Sequence, residues 1–121
     1  MTRPMGRRIA ANPIPYWSRD GRIDKSRAVF DEAFADFAQI GFTAVKADVP
    51  DGMNAADYLD WIGSYGLAPS LSLFSSPFDE TVDITVEVER AKEFAATQAE
   101  LGLDRTMISS MAIPGRLARP A

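Results

Sequence analysis

IGFTAVKADVP, residues 40–50, opens on an apolar–glycine–apolar step and runs into a lysine and an aspartate two positions apart. The step recurs as Tyr65-Gly66-Leu67 and Leu101-Gly102-Leu103, each time after a helical pattern and ahead of a β-prone run. A glycine in the left-handed conformation turns the chain back sharply at a helix end, and the apolar residues beside it pack on each other. Gly41, Gly66 and Gly102 therefore read as three copies of one helix-to-strand corner.

The segments around these corners follow the same logic. Ile9 to Ala11 form a short apolar run that Asn12-Pro13 and Pro15 must end, because proline cannot donate into a sheet ladder. From Asp24, a candidate helix cap, Val29, Phe30, Ala33, Phe34, Phe37 and Ile40 recur at three- and four-residue steps as one helical stripe. FTAVKAD is a strand closed by the turn signal Pro50-Asp51-Gly52. Asn54 caps a second helix that carries Tyr58, Leu59 and Ile62 inward and ends at Gly66. LAPSLSLF is the third strand, broken by Ser75-Ser76-Pro77. Residues 82–88 alternate as a strand does, yet Ile84, Val88, Ala91, Ala95 and Ala99 also share one helical face. The Ala- and Glu-rich continuation to Leu101 favours a long helix. LDRTMISSMAI is the last strand, ended by Pro114-Gly115. The order is β-α-β-α-β-α-β, which predicts an α/β fold with parallel strands and right-handed helical crossovers.

The chain has 121 residues, enough for one domain with its own core, and 46% of them are hydrophobic. A net charge of −4 and a pI near 4.7 argue against a nucleic-acid partner. The clusters Arg3, Arg7, Arg8 and Arg105, Arg116, Arg119 read as solvated termini. Without cysteine or histidine, disulfides, thiolate metal sites and Ser–His–Asp or Cys–His catalysis are excluded. No apolar run approaches the roughly 18 residues that span a bilayer, so no membrane partner is expected. MTRPMGRR precedes no apolar h-region, and the expected location is cytoplasmic.

Ligands of parallel α/β sheets gather at the carboxyl ends of the strands. Asn12, Tyr16 and Trp17 follow the first strand, and Lys46 and Asp48 lie on one face at the end of the second. Ser72, Phe74 and Ser75 close the third, with Ser109, Ser110 and Met111 on the fourth. Lys46 and Asp48 are either an ion pair that finishes the strand or a pair that binds and exchanges protons with a sugar-like substrate. Ser70 and Ser72 share a face that suits a polar interior, opposite Leu71 and Leu73 on a helix-covered side. Trp17 and Tyr16 suit stacking on a sugar ring or packing over the strand ends. No GxGxxG, P-loop, GxSxG or HExxH signature is present, and no metal-ligand constellation is visible.

IAANPIPYW (9–17), IGFTAVKAD (40–48), YGLAPSLSLF (65–74) and ELGLDRTMISS (100–110), in this order, resemble the sugar phosphate isomerase/epimerase family. This is the xylose isomerase-like TIM barrel group that includes inosose dehydratases. The opening Asn12-Pro13-Ile14 with Trp17 is similar to the inosose dehydratase start. The resemblance implies half of a TIM (β/α)8 barrel, with four strands and three helices in a single partial domain over 1–121. It also implies isomerase or epimerase chemistry by proton transfer next to a carbonyl, on a sugar or polyol. Lys46 and Asp48 are its implied catalytic residues, and Asn12, Trp17 and Ser72 its implied substrate contacts.

The family's divalent metal, Mn or Mg, is held by Glu, Asp, His and Glu ligands on the second half of its barrel. No position here matches them, so no cofactor is expected in this chain. A whole barrel needs eight βα units in roughly 250 residues. The chain reads as the amino-terminal half, a truncation or fragment inactive alone. Its open strand edges predict self-association or pairing with a missing half-barrel. The alternative is a non-catalytic half-barrel that binds small polyols or completes a barrel with another chain.

Overall fold

The computed structural model describes residues 9–111, which divide into two compact units between Ser70 and Leu71. The arginines at 3, 7, 8, 116 and 119 and the Pro114-Gly115 stop lie outside these residues. Among the described residues, no helix is long and apolar enough to cross a membrane.

In the first unit Asn12 and Pro13 hold the opening strand to Ala10–Ala11 (β1). The chain then makes a one-turn helix, Ile14–Trp17 (α1), with proline in its first turn and no N–H missed there. A hairpin of Ser18–Arg19 (β2) and Arg22–Ile23 (β3) follows, antiparallel and joined by Asp20-Gly21. Both turn residues have positive φ, 50° and 74°, as a two-residue hairpin turn of matching twist requires. Neither α1 nor this hairpin was among the elements expected from the sequence, and both replace a simple loop.

Helix Arg27–Ile40 (α2) begins after Ser26, whose N–H is accepted by Asp24 Oδ1 at 2.9 Å, so Asp24 supports the helix start from outside it. Val29, Phe30, Ala33, Phe34 and Phe37 are buried as the stripe predicts, while Ile40 at the last turn is exposed. Strand Ala44–Lys46 (β4) is followed by Ala55–Gly63 (α3), where the Asn54 side chain accepts the Asp57 N–H at 2.8 Å. Tyr58, Trp61 and Ile62 are buried. Strand Ala68–Ser70 (β5) completes the unit.

These strands form one parallel sheet in the order β1-β4-β5, with Ala10 beside Ala44, and Lys46 beside Ser70. The period-two alternation gives the sheet two faces. Ala11, Val45 and Ala47 are buried, whereas Ala10, Ala44, Lys46, Ala68 and Ser70 point to a face that stays partly or fully open. An aromatic cluster forms the core. Phe34 meets Phe30 at 5.7 Å, Trp61 at 5.0 Å and Tyr65 at 5.7 Å between ring centroids. Asp31 ties its edge by accepting from Trp61 Nε1 at 2.7 Å and from the Tyr65 hydroxyl at 2.8 Å.

The second unit is built from Leu73–Ser76 (β6), Ile84–Glu100 (α4) and Met107–Ser110 (β7), with β6 and β7 parallel and Phe74 beside Ile108. The LAPSLSLF strand is thus two strands with different neighbours. Pro69 has no N–H for a ladder, and the Ser72 N–H donates to the Gln98 side chain at 3.2 Å instead. Asp83 caps α4 by accepting from Thr85 and Val86. The buried side of α4 differs from the expected one. Glu87 and Gln98 are buried, while Ile84, Val88, Ala95 and Ala99 are exposed. Gln98 accepts the Ser72 N–H, and one oxygen of Glu87, Oε1, accepts from Arg90.

All three glycine corners are present. Gly41, Gly66 and Gly102 have φ of 105°, 74° and 81°. The residue after each glycine donates five residues back, Phe42 to Phe37, Leu67 to Ile62 and Leu103 to Gln98, at 2.9 to 3.0 Å. This is the six-to-one bond of a Schellman motif.

Candidate functional site

Strand β4 delivers Lys46 to the open face, and the chain beyond it places Asp48 on the same side. Lys46 Nζ donates to Asp48 Oδ1 at 2.9 Å and to Oδ2 at 2.8 Å. The two side chains are 13% and 24% exposed. An ammonium this secluded needs a partner, and Asp48 supplies it with both oxygens. Lys46 also lies 5.8 Å from the centroid of the Trp17 ring.

Trp17 comes from α1, immediately after β1, and packs on Phe30 at 5.6 Å. Its ring carries a second cation, Lys25, at 4.4 Å. Together Trp17, Lys25, Phe30, Asp48, Pro50 and Asp51 line a cleft of about 270 Å³. The cleft therefore sits where the β1 and β4 strands end, the usual ligand position of parallel sheets. Lys46 reaches it through Asp48 rather than lining it.

Two polar atoms here have no hydrogen-bond partner among the described residues. They are Trp17 Nε1 and the Tyr58 hydroxyl, both buried. Burial pushes the Tyr58 phenol well above its ordinary value, and the nearby Asp48 carboxylate pushes it further the same way. The Asp48 backbone opposes this shift, although it does not meet the hydroxyl with hydrogen-bond geometry. Lys46, Asp48 and Trp17 are thus gathered as the sequence suggested. Lys25 and Tyr58 were missed. Lys25 had no strand-end position to mark it, and Tyr58 reads from its helical spacing as plain core.

The other two candidates do different work. Asn12 is exposed, and its Oδ1 accepts the Ile14 N–H at 3.0 Å, so it shapes the turn into α1. Ser72 belongs to the second unit and is fully buried. Its carbonyl accepts from Met107 N at 3.1 Å and from the Thr106 hydroxyl at 2.8 Å. Ser72 is buried with Phe74 and Ser76 in the second unit, whereas Ser70 ends β5 in the first.

The metal implied by the family resemblance does not fit these residues. Among the described residues, no three His, Cys, Asp or Glu side chains gather as a cation site, and Asp48 already spends both oxygens on Lys46. No family model matches the chain, and no curated protein and no solved structure matches it.

Proposed function

We propose that the cleft at Trp17 and Asp48 binds a small sugar or polyol, in a protein related to the isomerase- and epimerase-type TIM barrels and shaped as half of such a (β/α)8 barrel. The observation that carries this reading is the two-oxygen Lys46–Asp48 pair on the open face of a parallel sheet, beside an indole that lines the cleft. An indole face and hydrogen-bonding groups at its edge suit a ring with an apolar face and equatorial hydroxyls. Charge decides between substrate classes. Lys25 and Lys46 are balanced by Asp48 and Asp51, which favours a neutral polyol over a phosphorylated one.

In a complete site the pair would serve proton transfer next to a carbonyl. Asp48 would take the proton from carbon and return it to the neighbouring carbonyl carbon as the hydroxyl proton of the first carbon passes to the carbonyl oxygen, while a Lys46 N–H steadies the charge growing on that oxygen. No step is assigned to a metal, because the residues present do not fit one. The chain alone is therefore proposed to bind without turnover. Isothermal titration calorimetry with myo-inositol and D-xylose tests this. Saturable binding is expected in the millimolar range, about −4 kcal/mol, and Trp17→Leu should abolish it. Heat of dilution alone for both compounds would refute the proposal.

A further inference from the structure

The second unit carries a cleft of its own. It encloses about 380 Å³, within the range of small-molecule sites, and its walls include Phe74, Phe78, Val82, Ile84, Val88 and Ile108. Several of these walls are apolar residues that the fold leaves uncovered. Ile84 is 72% exposed and Ile108 70%. Two titratable side chains, Asp79 and Glu87, interrupt the apolar lining. The Glu87 side chain is only 10% exposed.

The two oxygens of Glu87 differ. Oε1 accepts from the Arg90 guanidinium, which itself lies 5.3 Å from the Phe74 ring. Oε2 is buried and receives no hydrogen bond from any described residue. The Ser76 hydroxyl and Arg90 hold the carboxyl below the usual carboxylate range, yet Ser76 does not reach Oε2 with hydrogen-bond geometry. A buried carboxylate oxygen without a donor costs roughly 1–3 kcal/mol or more. The cost is recovered when a ligand brings the donor.

The charge around the cleft states what kind of donor. Asp79 lines it beside Glu87, Glu80 and Asp83 flank it in the chain, and no lysine or arginine occurs between residues 71 and 89. Thr81 donates to Asp79, and the α4 N-terminus uses Asp83 as a hydrogen-bond acceptor without neutralising its charge. An anionic or neutral headgroup leaves this field unanswered, while an ammonium answers both the field and Oε2.

We infer that the second unit binds a small primary amine with an apolar body, its ring or chain lying between Phe74, Val88 and Ile108 and its ammonium on Glu87 Oε2. This site is independent of the polyol cleft, since no residue is shared between them. The test is a calorimetric titration of the full chain with 2-phenylethylamine and, in parallel, with its neutral counterpart 2-phenylethanol. The amine should saturate and bind at least tenfold tighter than the alcohol. Glu87→Gln should remove that advantage and leave the alcohol unchanged. Ile108→Ser, at a position 70% exposed, should weaken both several-fold. Equal binding of amine and alcohol, an unaltered amine affinity in Glu87→Gln, or no saturation by the amine would overturn the inference. So would light scattering that shows a dimer which Ile108→Ser dissociates and the amine does not, because a second copy would then own the cleft.

Discussion

Removing either partner of the Lys46–Asp48 pair should reveal a coupling that surface ion pairs lack. Exposed pairs measure about 0.2–1 kcal/mol, whereas hydrogen bonds to charged groups reach roughly 1.5–3 kcal/mol. Here both side chains are more than three-quarters buried, and one ammonium meets two oxygens at 2.8 and 2.9 Å. Desolvation of both charges offsets part of the attraction. A coupling of about 1–2 kcal/mol follows. The assay is a double-mutant cycle of Lys46→Met, Asp48→Asn and the double variant, unfolded in urea. Tryptophan fluorescence suits it, because Trp17 and Trp61 both lie in the first unit. Asp48→Asn alone should cost the most, since it strands a secluded ammonium. Moderate salt should change the coupling little, as screening is weak for partly buried charges. A coupling within about 0.3 kcal/mol of zero, inside the usual additivity error, would refute the reasoning.

Three further outcomes follow from the fold. Phe34→Ala removes a fully buried ring in contact with Phe30, Trp61 and Tyr65, and should cost about 3–5 kcal/mol in the same urea titration. Gly41→Ala meets no atom within 4 Å, so its cost is the left-handed backbone alone, about 1–2 kcal/mol, read as a lower melting temperature. Tyr58 ties stability to alkaline pH. Its folded pKa lies above the unfolded value of 10.0, so the neutral phenol's contribution is complete below pH 10 and is lost as pH rises beyond it. The urea midpoint should fall from pH 10 upward, and Tyr58→Phe should soften that fall while leaving stability at pH 7 unchanged or slightly raised, because it deletes an unpartnered hydroxyl.

What the sequence made legible was local chemistry with a strict geometric demand. Gly41, Gly66 and Gly102 could be read as helix-to-strand corners because few other residues tolerate that backbone. Asn54 could be read as a cap, and Lys46 with Asp48 as a pair, because alternation fixes the face on which each lies. The Asp20-Gly21 hairpin had the signal of a two-residue turn but lacked the alternating flanks that usually accompany it. The parting of LAPSLSLF into β5 and β6 depends on the Ser72 N–H choosing Gln98, a residue 26 positions away, and no local pattern records that choice. The buried side of α4 was misjudged for a related reason. Periodicity ranks Ile84 and Val88 inward, but Glu87, paired with Arg90 on the same helix, and Gln98, which accepts the Ser72 N–H just ahead of β6, take the interior.

The central claim, a polyol cleft organised by Lys46, Asp48 and Trp17, meets its most direct test in a ¹H–¹⁵N titration with myo-inositol. The Trp17 indole N–H, without a hydrogen-bond partner among the described residues, should shift and saturate together with the amides of Asp48 and Asp51, while the Trp61 indole, held by Asp31, stays in place. A Trp17 signal that does not move at saturating polyol, or shifts scattered over both indoles in equal measure, would contradict it.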